Sequence, residues 1–279
     1  GMFSYKATDW FKFDAAYDMS FRIQDSYLFS NNLFLSGINP RDYRTEDFDT
    51  EIYPDKADYH GSFGIMQNLD RAFVTLRAPF ADFYIGRQAI AWGTARVINP
   101  TDVVAPFTFD ELDKEERFGV DAIRVRIPIG FMGEFDSGYI LGKDQKFSSS
   151  AFFLRAKYYL WRADVSALVL GFRENLLLGF DLARAVGGAS IWFESAYVLV
   201  DELADDPVEK NEDYLRISIG ADYSFGEKTY GFIEYHFNEA GESDTQNYLK
   251  NFFKTAYTEG SVYLFGEHYL IPGINYQLH

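Results

Sequence analysis

The sequence contains no cysteine, which excludes disulfides, thiolate metal sites and thiol catalysis. No run approaches the roughly 18 apolar residues that a transmembrane helix requires, and the mean hydropathy is only −0.21. Histidine is scarce. His60, His236, His268 and His279 are the four present, and no two of them have metal-ligand spacing. Glu234-x-His236 and Glu267-His268 are single neighbours. No phosphate loop or dinucleotide fingerprint occurs, and no local motif singles out a serine, so neither an enzyme nor a cofactor is expected. Positive charge is in deficit, with 26 Lys+Arg against 42 Asp+Glu and a formal net charge of −16. Bulk charge therefore argues against nucleic acid or anionic lipid headgroups as partners. Linkers and exact repeats are lacking too, and the 279 residues read as a single domain.

What is abundant is aromatic surface, 28 Phe and 20 Tyr in a chain that is 19% aromatic. It is arranged in a strict two-residue alternation. Phe11, Phe13, Ala15, Tyr17, Met19, Phe21 and Ile23 alternate with Lys12, Asp14, Ala16, Asp18, Ser20 and Arg22. Leu215, Ile217, Ile219, Ala221, Tyr223 and Phe225 alternate with Arg216, Ser218, Gly220, Asp222 and Ser224. Side chains on a strand alternate between faces, so each stretch is a strand with one greasy and one polar face. When the greasy face is aromatic-rich and the other face is charged on strand after strand, the pattern fits a transmembrane β-barrel, with lipid outside and a polar interior.

The alternation predicts strands at Phe3–Ala7, Trp10–Gln24, Asn68–Ala78, Asp82–Trp92, Phe118–Pro128, Phe131–Ile140 and Ser149–Trp161. It continues with Arg162–Phe172, Leu176–Ala185, Ala189–Val200, Tyr214–Phe225, Thr229–Asn238 and Val262–Leu278. Tight Gly- or Pro-containing connections at Pro79–Ala81, Ile129–Gly130, Val186–Gly188 and Gly226–Lys228 alternate with long stretches such as Asp25–Gln67, Gly93–Arg117, Asp201–Asp213 and Glu239–Ser261. Short turns at one rim and long loops at the other predict an antiparallel up-and-down barrel of about 12–14 strands. The opening Gly1-Met2 reads as the scar of tag removal. An odd strand count and an end at Leu278-His279 lead to the expectation that strands are missing at the termini.

Face by face, the alternation turns Arg71, Arg77, Arg124, Arg126, Arg155 and Lys157 inward. Arg87 is placed with them, although it shares the parity of Phe83 and Ile85, because arginine facing lipid costs about 2–4 kcal/mol. Later strands turn Asp164, Glu194, Asp222 and Glu234 inward, with Arg216 and His236 among them. Two readings stand open: the charges pair and fill a wet interior, or a basic ladder faces an acidic element across a pore. The stretch Gly93–Arg117 bears on that choice. It has a turn signal at Asn99-Pro100-Thr101-Asp102, an apolar middle and an acidic end. It is expected to fold into the barrel and set Asp110, Glu111 and Asp113 against the arginines, the alternative being an external loop packed on its neighbours. The acidic stretches Glu46–Asp58 and Asp201–Asp213 read as solvated loops ahead of Ca²⁺ sites, since neither has EF-hand spacing. Ca²⁺ held there would bridge to lipopolysaccharide phosphates.

The segment GRQAIAWGTARVINPTDVVAPF, with the preceding Leu69-Asp70-Arg71-Ala72-Phe73-Val74, resembles the GRQ-x-x-x-WG…NP-x-D…PF segment of a poorly characterised group of outer-membrane porin-like β-barrels. The resemblance implies residence in the outer membrane among lipid and lipopolysaccharide, and a channel function; porin-like barrels are commonly homo-oligomers. The expectation is a porin for small hydrophilic solutes, anionic or sugar-like, with a loop-constricted, charge-lined pore. The alternative is a plugged, non-conducting barrel acting as a scaffold or a surface binding protein.

Overall fold

A computed structural model describes residues 1–23, 40–45, 50–53, 63–105, 118–143, 145–205, 212–259 and 262–277. The first strands are β1 (Met2–Lys6), β2 (Phe11–Ile23), β3 (Thr50–Tyr53), β4 (Phe63–Arg77), β5 (Asp82–Ala89), β6 (Gly119–Ile129) and β7 (Gly133–Ile140). They are followed by β8 (Ala151–Leu160), β9 (Ala163–Phe172), β10 (Asn175–Val186), β11 (Ala189–Leu199), β12 (Tyr214–Phe225), β13 (Thr229–Asn238) and β14 (His268–Tyr276). All belong to one 14-stranded antiparallel meander in which sequence neighbours pair, with β3 off the path beside β4. Among the described residues no helix is long and apolar enough to cross a membrane. The chain crosses by strands.

The outer face is apolar along the whole meander. Met19, Leu154, Leu178, Ile191, Ile219 and Ile233 are all exposed there. Aromatics gather toward the short-turn rim, where Phe131, Trp161, Tyr223, Phe225 and Tyr276 are exposed. Water does not tolerate an apolar surface of this extent, whereas a bilayer core with an interfacial aromatic girdle solvates it. The protein is thus a multi-pass β-barrel of the outer-membrane type.

Four expected boundaries differ, one of them the end of the predicted strand Asp82–Trp92, which stops at Ala89. β4 begins at Phe63, five residues ahead of the predicted start, and β3 falls inside the predicted loop Asp25–Gln67. The cause is a register shift opposite Ala16/Tyr17, which leaves Asp70 unpaired and breaks the parity that made the earlier half legible. At the far end only His268–Tyr276 is strand. Val262 is buried instead, and Phe265 packs its ring against Tyr257 at 5.7 Å. Residues 239–259 and 262–267 form a cap at the long-loop rim, containing a 3₁₀ helix at Thr245–Phe253 and a single helical turn, α1 (Thr255–Thr258).

Most hairpins at the short-turn rim use Gly or Pro, but the β8–β9 turn is Trp161-Arg162, with φ of 52° and 61°. Left-handed backbone costs a non-glycine residue roughly 1–2 kcal/mol. Arg162→Gly is expected to stabilise the barrel by about 1 kcal/mol, read as a higher urea midpoint of the detergent-folded protein. An unchanged or lower midpoint would show that the arginine side chain compensates the strain.

Candidate functional site

The inner face divides by height. Toward the long-loop rim it is apolar, where Val120, Ala122, Phe153, Leu170, Leu177 and Val198 are buried around residues 90–105, which fold in from the end of β5. Trp92 packs edge-on against Phe153 at 4.8 Å. Each large aliphatic side chain buried here contributes about 2 kcal/mol. The segment turns at Asn99-Pro100-Thr101-Asp102, closed by the Asp102 amide donating to the Asn99 carbonyl at 3.2 Å, with proline at its favoured second position.

What holds the segment in place is a pair of fully buried carboxylates. Glu194 on β11 accepts from the amides of Thr94 (2.8 Å), Ala95 (3.0 Å) and Thr101 (2.9 Å) and from the Thr101 hydroxyl (2.8 Å). Glu234 on β13 accepts from the amides of Arg96 (2.7 Å), Val97 (3.3 Å) and Ile98 (2.9 Å) and from Trp192 Nε1 (3.0 Å). Ser218 Oγ donates to the Ile98 carbonyl at 2.7 Å, and Arg216 donates to the Pro100 carbonyl at 3.4 Å. An irregular segment carries unpaired amides, and burying them requires acceptors. The acidic wall supplies those acceptors. Gly93 permits the entry: its φ is +105°, and a Cβ there would lie 2.4 Å from Asn99 Oδ1 and 2.7 Å from a Glu194 oxygen.

The described part of the stretch, residues 93–105, thus lies inside, against the acidic wall. Asp110, Glu111 and Asp113 lie outside the described residues.

The basic residues are paired strand to strand. Arg124 on β6 makes a two-pronged bond to Asp136 on β7 at 2.7 and 2.5 Å. Arg155 reaches Ser166 at 2.8 Å and Asp181 at 3.7 Å, and Lys157 reaches Asp164 at 3.3 Å. Arg71 sits 3.2 Å from Asp70, and Arg77 is exposed at the end of β4 beside the short turn. Arg126 lies over the Tyr84 ring at 5.5 Å, with carboxylate oxygens of Asp136 and Glu134 at 3.9 and 4.0 Å. Arg124, Arg155 and Lys157 thus meet an anion one or two strands away, which fits the pairing reading, whereas Arg71 meets its sequence neighbour Asp70 and Arg126 has carboxylates only at 3.9 and 4.0 Å.

Arg87 does not share the face of Arg124. It pairs in register with Asp121, which lies two residues from the exposed Ile123 on the outer face. The cost of lipid exposure is avoided by a roof and not by turning inward. Arg87 is bonded to Asp121 at 2.8 and 3.2 Å and to the Leu69 carbonyl at 3.1 Å. Thr45 also bonds Asp121, and Arg44 bonds the Gly119 carbonyl. Gly119 lets β4 cross closely, since a Cβ there would stand 1.9 Å from the Asp70 carbonyl oxygen.

Sequence reasoning placed Glu194 and Glu234 on the inner face but not their role. The only available signal was an in-facing acid on each of two late strands, with no local motif linking them to residues 94–101. Ser218 and His236 meet at 2.9 Å, yet the Ser218 hydroxyl proton goes to Ile98, which leaves His236 Nδ1 as the donor to Ser218. That polarity is opposite to the one a nucleophilic pair needs, and both residues are buried. Among the described residues no group of His, Asp or Glu could hold a metal ion.

At the long-loop rim, Tyr43 is buried beneath the Arg173 guanidinium at 5.9 Å, and Tyr257 is buried in the cap, donating to the Leu264 carbonyl at 2.7 Å. Burial pushes both phenols from the ordinary 10.0 up to about 12. A folded-state value above the unfolded one leaves the stabilisation intact below pH 10 and removes it as pH rises through about 12. The expected result is flat stability from neutrality to pH 10 followed by alkaline loosening of this rim, tracked by phenolate absorbance. Normal titration of every tyrosine near pH 10 would contradict the burial.

No family model and no curated protein matches the chain. Among solved structures it is similar to the in-vitro folded, trimer form of OmpT, an outer membrane protein of Vibrio cholerae, at 14% identity and TM-score 0.43 over 85% of this chain and 67% of that one. It is similar to the outer-membrane expressed form of the same protein at 16% identity and TM-score 0.40, over 63% of each chain. It is also similar to an anion-selective porin from Comamonas acidovorans at 14% identity and TM-score 0.32, over 63% of this chain and 70% of that one. The chain thus spans about two thirds of the length of each.

Proposed function

We propose that the barrel is a passive channel for small hydrophilic solutes, with a preference for anions. It is constricted by the segment folded in from β5. The observation that carries this reading is the engagement of the acidic wall. Glu194 and Glu234 are fully buried and turned onto the backbone of residues 94–101, so they are withdrawn from the aqueous interior. The charges that remain accessible lie nearer the short-turn rim. Arg71, Arg96, Arg126 and Lys157 have side chains 24, 50, 38 and 41% exposed, against Glu134 at 38% and Asp164 at 49%. Arg126 and Lys157 each stand four positions from their short turns. A ring of charge with a cationic excess is how a pore favours anions.

A second reading, a closed barrel serving as scaffold or surface binder, draws on the apolar packing of the long-loop half. Planar-bilayer recording of the refolded protein under a KCl gradient separates the two. Discrete steps with an anion-selective reversal potential support the channel. A silent bilayer with demonstrably folded protein overturns it, and cation selectivity overturns the assignment of the ring.

A further inference from the structure

We infer that Arg126 is the solute-binding cation of this channel and takes small carboxylate-bearing solutes through a two-pronged contact. The inference rests on the channel reading above and adds a substrate class to it. Its basis is that Arg126 combines a supported guanidinium with no hydrogen bond among the described residues; Arg71, 3.2 Å from Asp70, also leaves its Nε without one but is only 24% exposed. Arg124, one pleat away on the same strand, uses Nε and Nη2 on both oxygens of Asp136. Arg155 donates to Ser166, Arg96 donates to Asp222 at 2.9 Å, and Lys157 stands 3.3 Å from Asp164.

Arg126 makes no hydrogen bond among the described residues; its Nε is buried and without a partner, so the groups left to a solute are the two Nη at the end of the fork. The nearest carboxylate oxygens, on Asp136 at 3.9 Å and Glu134 at 4.0 Å, lie beyond hydrogen-bond reach. Asp136 is already occupied by Arg124. The guanidinium is nevertheless held in place, laid over the Tyr84 ring at 5.5 Å, which is a usual arginine support. A planar fork that is positioned, 38% exposed and short of acceptors matches the geometry of a carboxylate, which accepts two parallel N–H bonds. Lysine carries the same charge but lacks the fork. Glu134, at the edge of this contact, opposes an incoming anion.

The test is block of single-channel current by succinate added to one side of a planar bilayer, using the refolded protein and its Arg126→Lys, Arg126→Ala and Glu134→Gln variants. Wild type is expected to show concentration-dependent interruptions. Losing one charge-assisted hydrogen bond corresponds to about a tenfold loss of affinity. That loss is expected in both Arg126 variants, while the KCl reversal potential holds in the lysine variant and moves toward cations in the alanine variant. Glu134→Gln is expected to tighten block. Wild-type affinity in Arg126→Lys would show that only a point charge matters and would overturn the inference. Steady wild-type current without succinate block would overturn it and leave the channel standing. A silent bilayer would instead remove the channel reading itself.

Discussion

Replacing Glu234 or Glu194 by glutamine is expected to destabilise the barrel by about 2 kcal/mol each, because either substitution leaves at least one buried donor without an acceptor. The geometry sets the size. On Glu194, Oε2 serves Thr94 and Ala95 while Oε1 serves the amide and hydroxyl of Thr101. If Oε2 becomes the amide nitrogen, two backbone donors face a donor; if Oε1 does, the Thr101 amide faces one while the Thr101 hydroxyl can turn to accept, so at least one buried donor is orphaned. On Glu234, one oxygen serves Arg96 and Trp192 and the other serves Ile98, with Val97 shared. Each orphaned donor costs roughly 1–3 kcal/mol. Denaturant unfolding of the detergent-folded variants checks the magnitude, with Glu227→Gln in an exposed turn as the control, expected to stay within about 0.5 kcal/mol of wild type. In the bilayer the double variant is expected to give larger, noisier currents, since the segment loses its anchor. An unchanged midpoint in both single variants would mean that residues 94–101 are not held by these carboxylates.

The second large effect belongs to Arg124 and Asp136, whose side chains are only 7 and 2% exposed. Removing one member of a buried ion pair strands the other, at a cost of about 3–5 kcal/mol. Arg124→Ala and Asp136→Ala should each lower the unfolding midpoint accordingly. The double change Arg124→Met with Asp136→Leu should recover most of that loss, because no charge is then left unpaired. Neither single change should match the effect of Arg126→Ala on ion selectivity, since Arg124 is screened from the aqueous interior and Arg126 is not. If Arg124→Ala leaves stability intact but shifts selectivity, the division of labour between these two arginines is reversed.

The strands and their faces were legible because the information is local. One residue on Phe11–Ile23 or Leu215–Phe225 predicts the face of the residue two further on, and each greasy face met lipid as its pattern required. The short turns were legible for the same reason. Legibility failed where the parity rule was interrupted. Asp70 slips out of register, and with it went the start of β4. Arg87 was placed inward on an energetic argument that considered lipid alone, whereas Asp121, Thr45 and the close pass of β4 over Gly119 supply a protein roof. The stretch Val262–Leu278 has strand-forming residues throughout, but the need to cover the apolar long-loop half draws its first part into a cap.

By itself, then, the sequence determined that this chain is a membrane barrel, through a period-two pattern that most strands carry within themselves. Tertiary structure alone decided what the inner charges do. The sequence set the arginines against Asp110, Glu111 and Asp113, whereas in the fold Arg124 takes Asp136 on the neighbouring strand. The backbone partners of Glu194 and Glu234 lie about 90 to 140 residues away along the chain. A buried carboxylate takes whichever donors the fold delivers to it, and here the fold delivers the backbone of residues 94–101.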